Sequence, residues 1–393
     1  MNNFTFYSPT KVIFGKGVET SVGAEIKAWG GTKIMVHFGG GSVKKTGLLD
    51  RVEASLKDAG LSYLMFGGAQ PNPRLKLVHE GIELARKEGV DFILCVGGGS
   101  AIDSGKSIAL GVPYDGDVWD FYDEKVEPKA SLPVACILTL AAAGSETSKS
   151  SVITKEEGWL KKGYGTEFNR PKFAMMNPEL TYTLPPYQTA CGIVDIMMHT
   201  LDRYLCNSGT NEMTDRIAEQ VLKTVSEFGA IAMKEPENYL ARSEVMWAGS
   251  LSHNDLTGLG LKGDWAPHQL EHELGGMFDV AHGAGLAAVW GAWAKYVYKE
   301  GVLRFARLGV NVWGLSMDYE NPERTALDAI QRTMDYFASI DMPVTTTQLL
   351  GRELTDAEIE ELAEKCTFFG RRTIGGMKVL DKQDMIEIYK ASR

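Results

Sequence analysis

The stretch DFILCVGGGS, residues 91–100, indicates the fold of the chain. After Asp91 comes a short apolar run of aromatic and β-branched side chains, which is typical of a buried β-strand. The run ends at Gly97, Gly98 and Gly99, and a helical pattern follows with Asp103 near its start. A strand that turns through glycines into a helix is the building unit of a parallel α/β sheet.

The same succession of strand, turn and helix surrounds this stretch on both sides. Further strands are predicted at KIMVHF (33–38), LSYLMF (61–66) and PVACILT (133–139), and the first of them also ends in GGGS, residues 39–42. Helices are predicted along Leu48, Leu49, Val52 and Leu56 up to Gly60, and along Leu75, Val78, Ile82 and Ala85 up to Gly89. This alternation predicts a parallel sheet with crossover helices.

The second half of the chain has a different pattern. After TYTLPPYQ (181–188), with Pro185 and Pro186 as a helix-start signal, no segment has the pattern of a strand, and long helical patterns continue towards the end. We therefore predict two domains, an α/β domain over residues 1–184 and an all-helical domain over residues 185–393.

Composition and charge narrow the class of protein. The chain has 393 residues, with 41 Lys and Arg against 51 Asp and Glu, which gives a net charge of −10. This balance disfavours nucleic acid and anionic membranes as partners. The five cysteines form no C-x-x-C pair and lie mostly in apolar surroundings, which indicates reduced thiols. There is no signal-peptide pattern, and the longest uncharged run (280–294) is too short to span a bilayer, so we expect a cytoplasmic protein.

The two GGGS loops indicate a nucleotide site. Glycines between a strand and a helix expose backbone N–H groups and a helix N-terminus, where a phosphate can bind. Tight turns alone would explain one such loop, but two on one sheet favour nucleotide binding. Neither loop is G-x-G-x-x-G, because Ile102 occupies the third glycine position, and no P-loop sequence occurs. The predicted phosphate site is therefore a variant.

Histidines are concentrated in the helical half. HQLEHELGG (268–276) places His268 and His272 four residues apart with Glu271 between them, the H-x-x-E-H pattern of an inverted zinc-protease motif. GIVDIMMHTLD places Asp195 and His199 four apart in an apolar helix, a spacing that alone is most often an ion pair.

His282 follows shortly after His268 and His272, and a carboxylate with up to three imidazoles suits zinc or iron(II). The spacing does not say which of these three histidines are ligands. The other histidines, which are His37, His79 and His253, are interpreted as structural or surface residues.

A metal site beside a nucleotide-binding domain favours redox chemistry. The metal would act as a Lewis acid on an oxygen while a nicotinamide exchanges hydride. A peptidase would leave Asp195 and the glycine loops unexplained. A non-catalytic nucleotide-binding module would make the metal ligands incidental. Measuring the metal content by elemental analysis distinguishes this alternative from the enzyme.

The order of several motifs resembles the iron-containing, or group III, alcohol dehydrogenases. They are PTKVIFGKG (9–17), GGGS with Asp103, AAAGSETS (141–148), D-x-x-x-H (195–199), H-x-x-x-H (268–272) and HG (282–283). VHFGGGSVKKTG (36–47) is similar to the branch of butanol dehydrogenases and NADPH-dependent aldehyde reductases, and the resemblance runs from about residue 6 to 376.

The resemblance implies a variant Rossmann-like domain followed by an all-α metal-binding domain, as in the dehydroquinate synthase-like fold. It also implies interconversion of primary alcohols such as butanol with aldehydes. The alternatives are a glycerol dehydrogenase-like or other polyol oxidoreductase and, remotely, the zinc peptidase. We expect a homodimer.

The resemblance also implies the site residues. The metal ligands fall on Asp195, His199, His268 and His282. His272 falls on a histidine that lines the site near the nicotinamide without binding the metal, either as a residue behind the ligands or as a proton relay. The cofactor contacts fall on Gly39, Gly41, Ser42, Asn72, Gly97, Gly98, Gly99, Ser100, Asp103, Thr139, Ser148, Lys161 and Leu180. Two departures from the family pattern, TLAAAGSE (139–146) and WGAWAKY (290–296), concern the substrate pocket and the fine cofactor geometry.

The cofactor preference follows from charge. An NAD enzyme needs a carboxylate for the adenosine ribose, whereas FGGGSVKK (38–45) has no acid but has Ser42, Lys44 and Lys45. We expect NADP(H) over NAD(H), with Fe²⁺ or Zn²⁺ as the metal. Because hydride transfer needs near contact, the active site is expected in a cleft between the two predicted domains.

Overall fold

The first unit of the structure is built on a parallel sheet, as the alternating pattern predicts. The structure is a computed structural model that describes all 393 residues. Its strands are β1 (Lys11–Phe14), β2 (Lys33–Phe38), β3 (Ser62–Phe66), β4 (Phe92–Gly97), β5 (Val134–Leu138), β6 (Ser150–Lys155), β7 (Leu160–Gly165) and β8 (Phe173–Met176). Six of them form a sheet in the order β1-β8-β5-β4-β2-β3, in which every neighbouring pair is parallel. The predicted parallel α/β architecture is confirmed.

Helices connect these strands. They are α1 (Val22–Ala28), α2 (Ser42–Lys45), α3 (Leu48–Asp58), α4 (Leu75–Glu88), α5 (Gly99–Gly111) and α6 (Trp119–Tyr122). The apolar faces of α1 and α3 pack with Val36, Leu94 and Ile137 of the central strands in one core. Gly89, which the sequence analysis places at the end of a helix, is the C-cap of α4 in the left-handed conformation that suits glycine.

The antiparallel hairpin of β6 and β7 was not predicted. Lys155, Glu156 and Glu157 interrupt its apolar pattern, and Gly158 with Trp159 turns the chain through positive φ angles. The edge strand β1 and its neighbour β8 are too short for a period of two to be recognised.

The second unit is helical. Its helices are α7 (Pro186–Tyr204), α8 (Glu212–Lys234), α9 (Tyr239–His253), α10 (Ala266–Phe278), α11 (His282–Val297), α12 (Val302–Asn311), α13 (Pro322–Ser339), α14 (Thr346–Leu350), α15 (Asp356–Cys366) and α16 (Lys382–Ala391). Large side chains such as Trp290, Trp293, Phe305 and Tyr389 are fully buried in it. None of the helices has both the length and the apolar composition that crossing a membrane requires.

Contacts assign Tyr7–Thr183 to the α/β unit and Leu184–Arg393, together with Met1–Phe6, to the helical unit. The sequence division placed residues 1–6 with the α/β domain. In the structure the backbone and side-chain nitrogens of Asn2 both donate to the Gly260 carbonyl at 3.1 Å, which explains why this short segment belongs to the helical unit.

Candidate metal centre and nucleotide loops

Helix α7 carries the first residues of a candidate metal centre. Asp195 and His199 lie four residues apart, and Asp202 follows three residues later on the same helical face. All three side chains are buried, with relative exposures of 4% or less. A charged carboxylate in such surroundings is costly unless a cation or hydrogen-bond donors compensate it.

Three histidines surround one oxygen of Asp195. The Asp195 Oδ1 atom lies 3.4 Å from His199 Nδ1, 3.8 Å from His268 Nε2 and 3.6 Å from His282 Nε2. The potential ligand atoms of Asp195, His268 and His282 all lie within 4.8 Å of one another. His199 adjoins this group through Asp195 and through its ring, whose centroid is 4.6 Å from that of His268. The structure therefore brings the four predicted ligands together.

Several atoms of this cluster are buried without a hydrogen-bond partner. They are Asp195 Oδ1, His199 Nδ1 and His268 Nε2. Buried nitrogen and oxygen atoms that converge on one point without a hydrogen-bond partner are the arrangement that a bound cation completes. One carboxylate and imidazole nitrogens form a donor set suited to iron(II) or zinc. The residues of the cluster therefore fit a divalent transition metal.

Two further carboxylates orient the histidines from behind. His268 Nδ1 lies 2.6 Å from Asp202 Oδ2, and His282 Nδ1 is hydrogen-bonded to Glu271. Both carboxylates are fully buried. Because each accepts the proton of Nδ1, the Nε2 atom that faces Asp195 keeps its lone pair, as a histidine ligand requires. Burial disfavours the His268 imidazolium, but Asp202 and Asp195 outweigh this effect and raise the His268 pKa to about 9, so a metal that binds Nε2 would displace a proton from it.

Close packing brings the carrier helices together. A methyl group at Gly283 would lie 2.1 Å from the Cys191 carbonyl oxygen, so glycine allows α11 to approach the backbone of α7. A methyl group at Gly285 would lie 2.8 Å from Glu271 Cγ, so this glycine makes room for the carboxylate behind His282. The sequence HGAG at the start of α11 therefore positions His282 as well as supplying it.

The start of α10 is fixed to α7 through Asp264. Its backbone N–H donates to the Asp202 carbonyl at 2.6 Å, and one of its carboxylate oxygens accepts from the backbone N–H of Ala266 at 2.9 Å. The other carboxylate oxygen accepts from the N–H groups of Gly376 and Met377. This network places the first turn of α10, and with it His268, beside Asp202.

His272 does not join the same set as His268. It groups with Glu271 and His282, and its ring centroid lies 5.8 Å from that of His282. Glu271, which would activate water in a peptidase, is fully buried and bonded to His282. The arrangement that an H-x-x-E-H zinc peptidase needs, with His268 and His272 on one ion, is not formed.

His253 and Arg203 pack beside His199. The rings of His199 and His253 have centroids 4.0 Å apart, and Arg203 donates to the His199 carbonyl at 2.9 Å and contacts His253 Nδ1 at 3.0 Å. Burial, with these neighbouring positive charges, holds the His199 pKa well below its usual value. His253, interpreted from the sequence as structural or surface, is therefore part of the surroundings of the centre.

The two glycine loops lie side by side in the α/β unit. β2 ends at Gly39–Ser42 and β4 ends at Gly97–Ser100, and these strands are parallel neighbours. The chain adds β3 on one side of β2 and then β4 on the other, so the strand order reverses here. Such a reversal leaves a crevice at the carboxyl ends of the strands, which is where open α/β sheets bind nucleotides.

The predicted cofactor residues follow the carboxyl ends of five neighbouring strands. Gly39, Gly41 and Ser42 follow β2, Asn72 follows β3, Gly97, Gly98, Gly99 and Ser100 lie at the end of β4, Thr139 and Ser148 follow β5, and Leu180 follows β8. Lys161 lies on β7 and is buried. All of the predicted cofactor residues except Lys161 and Asp103 therefore lie in segments that follow the carboxyl ends of these strands.

Asp103 has a different environment. One of its oxygens accepts from the Ser145 hydroxyl at 2.5 Å, and the other accepts from the Val152 backbone N–H at 3.0 Å. Both oxygens therefore bond to the protein, on the face of α5 that meets β6.

Sequence reasoning missed Asp202 and the part that Glu271 has behind His282. Asp202 is at the end of the GIVDIMMHTLD stretch, three residues after His199, and this spacing on a buried helix was an available signal. Glu271 was noticed only as part of the peptidase pattern. Its bond to His282 depends on how α10 and α11 pack, which no local spacing indicates.

Comparisons with known proteins cover both units. The profile of the family "Iron-containing alcohol dehydrogenase" matches residues 9–178, and that of "Fe-containing alcohol dehydrogenase family, C-terminal" matches residues 189–393. NADH-dependent butanol dehydrogenase A of Clostridium acetobutylicum is 40% identical over 394 residues, covering 100% of both chains. NADPH-dependent aldehyde reductase YqhD of Escherichia coli is 36% identical over 401 residues, again covering 100% of both. The crystal structure of NADH-dependent butanol dehydrogenase A from Thermotoga maritima has a TM-score of 0.95 at 34% identity, covering 100% of this chain and 99% of the other.

Proposed function

Because the chain belongs to the iron-containing alcohol dehydrogenase family, whose members interconvert alcohols and aldehydes, we propose that it acts on primary alcohols such as butanol and on their aldehydes. The observation that carries this proposal is the buried Asp195 Oδ1 atom, which has no hydrogen-bond partner and lies within 3.8 Å of a ring nitrogen of His199, of His268 and of His282. A centre of this kind belongs to metal-assisted chemistry on a substrate oxygen.

We assign the metal ligands to Asp195, His199, His268 and His282. When bound, the divalent ion supplies Lewis acidity toward the substrate oxygen, and the nicotinamide supplies or accepts the hydride. Asp202 and Glu271 hold two of the histidines in the tautomer that presents Nε2, so the donor set is formed before a ligand arrives. The divalent ion is iron(II) by family, and the same donor set accepts zinc.

His272 is the proposed proton relay. Its side chain is partly exposed, unlike the buried Asp195 and His268, and it lies beside His282. An imidazole in that position can take a proton from solvent and deliver it to the substrate oxygen during aldehyde reduction, since its usual pKa lies near neutrality.

NADP(H) is the proposed cofactor, bound at the two glycine loops. In the FGGGSVKK segment Gly40, Gly41 and Ser42 are exposed, and no carboxylate is present to repel a 2′-phosphate. The names of the relatives divide on this point: the butanol dehydrogenase of C. acetobutylicum is named as NADH-dependent, whereas the aldehyde reductase of E. coli is named as NADPH-dependent. Lys44 bears on the choice only weakly, because its ammonium lies over the Phe38 ring at 5.3 Å.

A homodimer in a reducing compartment completes the proposal. Phe4, Phe6 and Tyr7 are about half exposed near the N-terminus, an apolar segment that a second copy would cover. All five cysteines are free, and four of them are buried. Analytical ultracentrifugation tests the dimer, and a monomer at micromolar concentration would contradict it.

The decisive experiment is an activity screen. The protein is reconstituted separately with Fe²⁺ and Zn²⁺, and oxidation of NADPH and NADH is followed against a panel of aldehydes. We expect aldehyde-dependent oxidation that is faster with NADPH and absent without metal. If only glycerol or other polyols support turnover with NAD⁺, the polyol alternative is correct.

A further inference from the structure

Helix α5 contains a lysine that is buried inside the α/β unit. The helix is buried from Ala101 to Gly111, and Lys106 lies within it with no exposed surface. Lys106 Nζ has four oxygen acceptors, which are the Ser145 carbonyl at 2.7 Å, the Ser145 hydroxyl at 2.8 Å, the Ser150 carbonyl at 2.8 Å and the Ser148 carbonyl at 3.1 Å. Four oxygens for three N–H donors form an ammonium cage.

All four acceptors come from one segment, GSETSKS (144–150), which we call the serine loop. Two further carbonyls of this loop bond to neighbouring segments, because Arg170 donates to the Thr147 carbonyl at 2.9 Å and Thr166 N–H donates to the Lys149 carbonyl at 3.1 Å. A loop with carbonyls directed at two buried cations is held by charge-assisted hydrogen bonds, which are the strong kind.

Ser145 links the buried lysine to an acid. Its hydroxyl accepts from Lys106 Nζ and donates to Asp103 Oδ1, so the positive and negative charges of α5 meet through this hydroxyl. Burial lowers the Lys106 pKa to about 8, while Asp103 opposes that effect. A buried ammonium is costly unless it is hydrogen-bonded and paired, as Lys106 is here.

The segment that leads into the serine loop contacts the glycine loop at the end of β4. Thr139 N–H donates to the Gly97 carbonyl at 3.1 Å. A methyl group at Gly98 would lie 3.1 Å from Leu140 Cβ, and one at Gly99 would lie 3.0 Å from Ala143 Cβ. The segment that leads into the serine loop therefore packs directly on the phosphate-binding glycines.

We propose that Lys106 is a positioning residue for the nicotinamide cofactor: its ammonium holds the serine loop, including Ser148, at the carboxyl edge of the sheet. The proposal rests on the proposed function, which assigns the cofactor to this edge. It predicts that losing the ammonium impairs cofactor binding while the metal centre of the helical unit stays intact.

The test compares two lysines of the same region. Lys106→Met keeps the length and apolar stem of the side chain but removes every donor. Lys149→Met is the matched control, since Lys149 lies in the serine loop itself and its side chain is 44% exposed. Three quantities are measured for each protein: the Kd for NADPH by fluorescence, metal content by elemental analysis, and hydrogen exchange of residues 145–150.

For Lys106→Met we expect faster exchange confined to residues 145–150 and adjacent backbone. We also expect the Kd for NADPH to rise at least roughly tenfold, because a misplacement of about 1 Å can cost up to about 10²-fold. Metal content should match that of the original protein. Lys149→Met should behave as the original protein in all three measurements.

The outcomes separate this inference from the proposed function. If the original protein binds neither NADPH nor NADH, the proposed function fails. If it binds cofactor and Lys106→Met binds it equally well, the inference about Lys106 is overturned. Should Lys106→Met not fold, Ser145→Ala removes only the hydroxyl that joins Lys106 to Asp103. That variant is expected to raise the Kd for NADPH by roughly threefold to tenfold, and an unchanged Kd overturns the inference.

Discussion

His37 in the α/β unit and His268 in the helical unit are both buried histidines, but their hydrogen bonding differs. His37 Nδ1 donates to the Phe66 carbonyl at 2.9 Å, and Nε2 lies 2.6 Å from the Ser104 hydroxyl, so both nitrogens are paired within the protein. His268 has Asp202 on Nδ1 and no hydrogen-bond partner on Nε2. Both ring nitrogens of His37 are hydrogen-bonded within the protein, whereas Nε2 of His268 is left to bind a ligand.

Burial alone therefore does not identify a metal histidine. What distinguishes His268 is a buried nitrogen that faces a carboxylate oxygen, Asp195 Oδ1, which also lacks a donor. The pKa values agree with this difference, because burial lowers that of His37 to about 4 while the carboxylates raise that of His268 to about 9. Burial keeps His37 neutral, whereas Asp202 and Asp195 favour the charged form of His268.

The largest effect is expected from His268→Ala. This change removes a proposed ligand, so metal content and activity should fall together, with a loss in kcat/KM of roughly 10³-fold or more. His272→Ala is the matched control from the same helix. It should retain the metal and lose about 10²- to 10⁴-fold in rate, as loss of a proton-transfer group does.

Elemental analysis and kinetics on the same samples distinguish the two variants. If His272→Ala emptied the site while His282→Ala kept it filled, the assignment of ligands would be wrong and the pairing of His268 with His272 would be correct.

His37, whose two ring nitrogens are both hydrogen-bonded, leads to a prediction about how the free energy of unfolding depends on pH. The folded state keeps His37 neutral down to a pKa of about 4, whereas the unfolded chain takes up the proton near the usual value of 6.5. Stability from this residue is therefore full above pH 6.5 and is lost as the pH falls from 6.5 to about 4. The loss amounts to about 3 kcal/mol, which is the linkage free energy of that shift.

Denaturant unfolding of the original protein and of His37→Gln at pH 7 and at pH 4.5 measures this effect. Glutamine can donate to the Phe66 carbonyl and accept from Ser104, but it does not titrate. Contributions from the other histidines are common to both proteins and cancel in the difference. Equal losses of stability in the two proteins would show that His37 is accessible to protons in the folded state.

The sequence predicted the α/β unit where its signals are local. The central strands and the glycine turns were identified because each is a continuous apolar run that ends in glycines. The β6–β7 hairpin and the four-residue strands β1 and β8 were missed, since their pairing is set by the sheet and not by their own pattern. Pairing between distant segments leaves little trace in a short stretch of sequence.

The same limit applies to the metal centre. The four proposed ligands were named from their motifs, and the structure brings them together. Asp202 and Glu271 were not assigned their places behind His268 and His282, because those contacts arise only when α7, α10 and α11 pack. The resemblance to the family's motifs identified the ligands, which spacing alone left open, whereas the groups that orient them require the tertiary fold.

A smaller effect is expected from Asp202→Asn, which tests whether Asp202 orients His268 for metal binding. The amide keeps the shape of the carboxylate but no longer holds the Nδ1 proton by charge. We expect the Kd for Fe²⁺ or Zn²⁺ to rise by about 10- to 100-fold, the range found for residues that orient metal ligands, with activity restored at high metal concentration.

Asp255→Asn serves as the control for Asp202→Asn, because Asp255 is also an acid near Arg203, at 3.9 Å, but its side chain is about one-third exposed. Metal titration in the presence of a competing chelator measures both variants. An unchanged metal Kd in Asp202→Asn would mean that Asp202 stabilises the helix packing and not the ligand.

The smallest effect is expected at Gly40, in the glycine loop that follows β2 of the α/β unit. A methyl group at Gly97 would lie 2.8 Å from Ala101 Cβ, so packing within the protein explains that glycine. Gly40 has no heavy atom within 4 Å of the same position and does not adopt a positive φ, so neither packing nor backbone strain requires glycine there. We propose that the adenosine ribose of the cofactor lies beside Gly40, in the glycine loop that follows β2. Gly40→Asp places a carboxylate in that space. It should raise the KM for NADPH about threefold to tenfold and leave that for NADH nearly unchanged, because a 2′-phosphate is repelled and ribose hydroxyls are not.

Gly40→Asn, which has the same shape without the charge, should affect both cofactors equally. The site is exposed, so the difference between the two variants should shrink as salt is added. Equal effects of Gly40→Asp on NADPH and NADH would place the adenosine ribose elsewhere and would remove the structural basis for a preference for NADP(H).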